Sequence, residues 1–184
     1  APADKRLMLC AITDDLRDGT AGLVARAVLA ERGGASLVIL RLKHADASTL
    51  LEVGRALVAA LSIPVVISER LDVALACAAA GVHLTSSSLP VVAIRPHVPP
   101  GFLLGASVSS PSDLESTTGA DFATIGPVLG AGDQSLGLDG FTRLSRAAGV
   151  PAIVVGGVDS SNAAQFFAAG AVGVAVIGTI FGAT

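Results

Sequence analysis

Short runs of branched apolar residues alternate with helix-length segments along the whole of this 184-residue chain, and few folds accept such a sequence. A strand that is apolar on both faces must be covered on both, as in a parallel sheet whose crossovers are helices. The pattern predicts strands at 7–13, 36–42, 64–67, 82–84, 102–107, 121–125, 151–155 and 172–177. Helices are predicted at 20–32, 47–61, 71–80, 89–95, 111–119, 138–148 and 160–169. Ala80-Gly81, Gly119-Ala120 and Ala169-Gly170 sit where helices should stop, and Ser110-Pro111-Ser112 and Asp159-Ser160 where they should start. About eight strands at so short a repeat fit a single-domain (β/α)8 TIM barrel over 1–184 better than a doubly wound sheet, which uses fewer. Only Gly178 to Thr184 follow the last strand, so the closing helix is expected to be short or absent. An apolar flank left open there favours a homo-oligomer.

The chain is 52% hydrophobic and 15% charged, which raises the possibility of a membrane protein. Its apolar stretches nevertheless fall short of the ~20 residues a spanning helix requires, as in Ala56 to Ile67, which Pro64 interrupts. A net charge of -3 with no Trp or Tyr offers neither a basic stripe nor stacking rings, which excludes a nucleic-acid partner. Cys10 and Cys77 read as small buried hydrophobes with reduced thiols. No basic leader precedes Leu7, and a cytoplasmic location is expected.

Two late segments point to a ligand. Val154-Val155-Gly156-Gly157-Val158 and Gly173-Val174-Ala175-Val176-Ile177-Gly178 each run from an apolar strand into backbone without side chains, where amides can approach a phosphate. At the end of the second strand, period-2 alternation sets Ile39, Arg41 and Lys43 on one face and Leu40 and Leu42 on the other. Leucines turned to the helices leave two cations at the barrel mouth, where a phosphate or diphosphate would compensate them; the plainer alternative is that they reach solvent or pair with helix carboxylates. Ser68-Glu69-Arg70 ends the third strand, and Glu69 could hold Mg²⁺ against a diphosphate or simply lie on the surface. His83, between Val82 and Leu84, faces the barrel or is a structural histidine. Thr85 to Ser88 and Ser107 to Ser109 supply hydroxyls that can orient a ligand, and the Gly-rich loop 126–137 suits a lid or a merely mobile connection.

Taken in order, these segments resemble the thiamine phosphate synthase and TenI family over Leu7 to Phe181. The resemblance rests on Ala11-Ile12-Thr13-Asp14, Arg41-x-Lys43, Gly81-Val82-His83-Leu84, Gly105-x-Ser107, Gly119-Ala120-Asp121, Gly126-Pro127-Val128, Gly156-Gly157-Val158 and Gly170-Ala171-Val172-Gly173-Val174. It implies an enzyme that joins hydroxymethylpyrimidine diphosphate to a thiazole phosphate and releases diphosphate with Mg²⁺ assistance. It gives Arg41, Lys43 and Ser107 to the diphosphate, Glu69 to the metal, and Ser68, His83, Gly156, Gly157, Ile177 and Gly178 to substrate binding. The chain departs from the synthases at Ser68-Glu69, where they carry Asn-Asp, and at Ser88, where they carry a second Asp. It departs again at Ile39, for a Gln, and at Ala131-Gly132-Asp133-Gln134, for Thr-x-Thr-Lys. The TenI branch, a metal-independent thiazole tautomerase, has hydroxyls like those of Ser86 to Ser88 but a histidine where this chain has Ser109. A barrel that binds a phosphorylated ligand without catalysis is the third alternative.

Overall fold

The computed structural model describes residues 8–130, 135–178 and 180–181. Its strands follow one another in chain order around one closed parallel barrel, the expected (β/α)8 fold. They are β1 (Met8–Ile12), β2 (Leu37–Leu40), β3 (Val65–Ser68), β4 (Gly81–Leu84), β5 (Leu103–Val108), β6 (Phe122–Ile125), β7 (Ala152–Val155) and β8 (Gly173–Val176). The α-helices between them are α1 (Gly19–Arg32), α2 (Ala47–Ala60), α3 (Leu71–Ala76), α4 (Val91–Ile94), α5 (Gly137–Ala148) and α6 (Ala163–Ala168). Among the described residues no helix is long and apolar enough to cross a membrane. The expected short closing helix falls largely on 179 and 182–184, outside the described residues.

The segment predicted as a helix over 111–119 is instead a 3-10 stretch, Pro111–Thr117. The reason is side-chain competition. Ser116 and Thr117 donate their hydroxyls to the carbonyls of Asp113 and Leu114, at 2.6 and 2.8 Å, favouring i+3 geometry over continued α-helix. Likewise α6 starts three residues later than predicted, because Asp159 takes the amide and hydroxyl of Ser161 into a turn.

The chain divides into two compact units. In the unit containing Cys10–His83, α2 packs closely: a Cβ on Gly54 would stand 3.0 Å from Cys77 Sγ and 3.5 Å from Ile67 Cδ1. Ile67 therefore faces the helices, and alternation turns Val66 and Ser68 to the interior. Register carries that face across the sheet, since Ile39 pairs with Val66 and Ser68 with His83. Cys10 and Cys77 are buried free thiols, and burial pushes Cys10 up to about 12.

The unit containing Leu104–Val176 has its own apolar layer. Phe141 of α5 and Phe166 of α6 meet edge to face with ring centroids 5.6 Å apart, packed with Val108, Ile125 and Val154. Each such buried side chain stabilises the fold by roughly 1.5–3 kcal/mol. Because these strand residues face the helices, Ser107, Thr124 and Ile153, which share a register row, face the other way.

Candidate functional site

In the first unit the ends of β2 and β3 open on a cavity of about 480 Å³, lined among others by Arg41, Lys43, His44, Ser68, Glu69 and Arg70. The sequence placed Arg41 and Lys43 at the end of a strand over 36–42; the structure ends β2 at Leu40 and sets both just beyond it. Arg41 is half-buried and Lys43 exposed. Among the described residues neither forms an ion pair, whereas Arg70 is held by Asp72 through two bonds of 2.8 and 2.5 Å. The Arg70 guanidinium in turn holds the Asp72 carboxyl down at about 2. Two cations at a cavity mouth without carboxylate partners suit an anion.

Glu69 is held in an uncommon conformation. Its φ is 64°, in the left-handed region where side chains other than Gly, Asn and Asp are scarce. Its amide donates to the His83 carbonyl at 2.8 Å, and the Arg70 amide donates to the Ser68 carbonyl at 2.8 Å, closing a tight three-residue turn around it. The turn presents an exposed carboxylate to the cavity at the cost of backbone strain. His83 is 7% exposed, and burial above all brings its imidazole down to about 4. The Arg41 charge lowers it further and Glu69 partly opposes this. At neutral pH the ring is uncharged, so it adds no second positive charge beside Arg41.

Lys43 also borders a smaller cavity of about 260 Å³ with Asp14, Asp15, His44 and Thr49. The carboxylates there are already engaged, Asp14 at 2.9 Å and Asp15 at 2.9 Å from Arg17. Asp139, in the first turn of α5, is exposed, and Asp133 lies outside the described residues. Among the described residues no group of three or more His, Cys, Asp or Glu is placed to hold a metal ion. A single carboxylate still matches the way Mg²⁺ is commonly bound, through one or two protein oxygens with substrate phosphates completing its shell.

The glycines of the second unit have a reason the sequence did not show. Gly156 and Gly157 have φ of 95° and 70°, and a Cβ would lie 2.7 Å from Pro127 Cα in one case and 2.7 Å from Leu129 Cβ in the other. The close approach is bonded: Val128 and Leu129 amides donate to the carbonyls of Val155 and Gly156, each at 3.0 Å. Asn162 Nδ2 donates to the Gly157 carbonyl at 3.0 Å. Leu136 and Gly137 amides return to the carbonyls of Pro127 and Val128, each at 2.9 Å. The loop read as a lid or a mobile connection is thus bonded to Val155 and Gly156 at its start, and its end folds back on Pro127 and Val128, while 131–134 lie outside the described residues.

Ser107 is half-buried in β5. Ser109 donates its hydroxyl to Asp113 at 2.8 Å, and Thr85 bonds with Ser87 and Ser88 at 2.9 and 3.1 Å. These hydroxyls are therefore already engaged within their own loops. In the first unit, Gly178 is exposed, and a Cβ on it would meet nothing within 4 Å. The Ile177 carbonyl accepts from the amides of Ile180 and Phe181, at 3.3 and 2.8 Å. Sequence reasoning gave no role to Thr13, which is wholly buried and bonded to Arg41; the signal was its place just after β1, in Ala11-Ile12-Thr13-Asp14.

Comparison with known proteins adds the family context. The family model described as thiamine monophosphate synthase matches residues 9–180. The thiamine-phosphate synthase of Roseiflexus castenholzii is 34% identical over 182 residues, covering 94% of this chain and 80% of that protein. That of Methanoculleus marisnigri is 37% identical over 164 residues, covering 84% and 78%. The solved structure of a thiamine phosphate pyrophosphorylase from Pyrococcus furiosus superposes with a TM-score of 0.81 at 30% identity, over 96% of this chain and 88% of the other.

Proposed function

Because the chain belongs to the thiamine monophosphate synthase family, we propose that it joins hydroxymethylpyrimidine diphosphate to a thiazole phosphate. The observation that carries this reading is the cavity at the ends of β2 and β3, where Arg41 and Lys43 stand without carboxylate partners among the described residues. In the reaction the bond between the pyrimidine methylene and the diphosphate oxygen breaks as the methylene bonds to the thiazole. The electron pair leaves with the diphosphate, and Arg41 and Lys43 neutralise the charge that grows there. Ser68 offers a hydroxyl donor, and neutral His83 keeps the interior beside Arg41 free of a competing cation.

Magnesium, when bound with the diphosphate, supplies further charge neutralisation, and Glu69 is the carboxylate that would hold it. The thiazole phosphate is assigned to backbone amides at Ile177-Gly178. The tautomerase reading is weaker, because the Ser109 hydroxyl donates to Asp113 and is not placed to take up a proton.

The test is formation of thiamine phosphate and release of diphosphate by the purified protein with both substrates and Mg²⁺. Arg41→Gln and Lys43→Gln are each expected to lower kcat about 10²-fold, by loss of charge stabilisation at the leaving group. A folded wild-type protein that forms no product, or charge-neutral variants that turn over as fast, would overturn the assignment.

A further inference from the structure

Arg41 lies beyond the last regular pair between β1 and β2, Ile12 with Ile39. The main-chain ladder goes one step further, with the Thr13 amide donating to the Ile39 carbonyl at 3.0 Å. There the side chain of Thr13 takes over. Its Oγ1 accepts from the Arg41 amide at 2.8 Å and donates to the Arg41 carbonyl at 3.2 Å. One hydroxyl, with one proton and two lone pairs, thus closes both main-chain groups of a single residue. Those groups belong to the two peptide planes flanking the Arg41 Cα, so fixing both fixes the direction of the Cα–Cβ bond. Thr13 itself is 0% exposed, and its branched side chain is confined to few rotamers.

We propose that Thr13 is a positioning residue for Arg41: its reciprocal bonds aim the guanidinium into the cavity at the ends of β2 and β3. This rests on the reading that Arg41 binds the diphosphate. Thr13 touches no substrate and acts through Arg41 alone. The surrounding strand ends cannot replace it, because β2 stops at Leu40 and the residue after Thr13 turns away to pair with Arg17. An arginine that must be ordered on each binding event binds less tightly than one already in place.

The test separates aim from stability by titrating inorganic pyrophosphate calorimetrically into wild type, Thr13→Val, Thr13→Ser and Arg41→Gln, with a melting curve for each. Val fills the site but removes both bonds, whereas Ser keeps both bonds and leaves a methyl-sized void. Affinity is expected to fall about tenfold in Thr13→Val and to stay within about twofold of wild type in Thr13→Ser, even though Ser lowers the melting temperature. Should Thr13→Val not fold, Thr13→Ala against Thr13→Ser carries the same comparison. If Arg41→Gln weakens binding but the hydroxyl-free variant binds like wild type, or Ser is as weak as it, the positioning role is overturned while the diphosphate reading stands. If Arg41→Gln binds pyrophosphate like wild type, both are overturned.

Discussion

At the scale of single residues, His83 and Glu69 show opposite uses of a stressed position. The His83 imidazole lies at about 4 against an ordinary 6.5, chiefly through burial and then through Arg41, with Glu69 the one opposing charge. Above pH 6.5 the ring is neutral whether folded or unfolded, and it contributes no pH dependence. Between about 6.5 and 4 the unfolded chain takes up a proton that the folded one refuses, so stability falls as the pH is lowered. The loss should reach on the order of 3 kcal/mol by pH 4, and His83→Gln should flatten it; urea unfolding at several pH values measures both. Asp72, held near 2, titrates below this window. Glu69→Gly should relieve the strain at φ 64° and raise stability by about 1 kcal/mol while reducing magnesium-supported turnover. If instead stability fell, the turn would not be strained. From sequence, Ser68-Glu69 could be read as a rim position, but nothing in it showed the backbone conformation, because that is imposed by the His83 carbonyl from the neighbouring strand.

At the scale of elements, glycines of identical appearance in the sequence separate into two kinds. Those at 156 and 157 are required by packing, since the chain at 127–129 lies where their side chains would be. Gly178 is not so constrained. Gly156→Ala should therefore cost on the order of 2–3 kcal/mol in a denaturation experiment, from a left-handed φ and a clash with backbone that cannot yield. Gly178→Ala should be within about 0.5 kcal/mol of wild type. Gly178→Asp should also fold, yet abolish thiazole phosphate binding by setting a like charge beside it; undiminished binding would remove Gly178 from the site. The strands and most helices were legible because their signal is local: branched apolar runs, caps and stops. The 3-10 stretch at 111–117 and the early end of β2 were not, because each is decided by hydrogen bonds whose choice of partner the residue pattern leaves open.

At the scale of the whole molecule, the barrel was the easiest feature to read and the reaction the hardest, for one physical reason. Burial on both faces of every strand leaves a repeating mark in the sequence, whereas a site gathers single residues from strand ends that no period links. The departures from the family pattern fall in that second class: Glu69 and Ser88 stand where metal carboxylates are expected, and the fold is indifferent to the change. Ligand-linked stability can therefore test binding apart from turnover. A ligand at 100 times its Kd adds about 2.7 kcal/mol, which for a domain of this size is a rise of roughly 5–10 °C in melting temperature. Pyrophosphate and thiazole phosphate are each expected to produce such a rise, with Arg41→Gln abolishing the first shift and preserving the second. If thiazole phosphate alone raised the melting temperature of the wild type, with or without Mg²⁺, the Arg41 and Lys43 cavity would have no diphosphate to hold. The chain would then be a phosphate-binding barrel that shares the family's fold without its transfer chemistry.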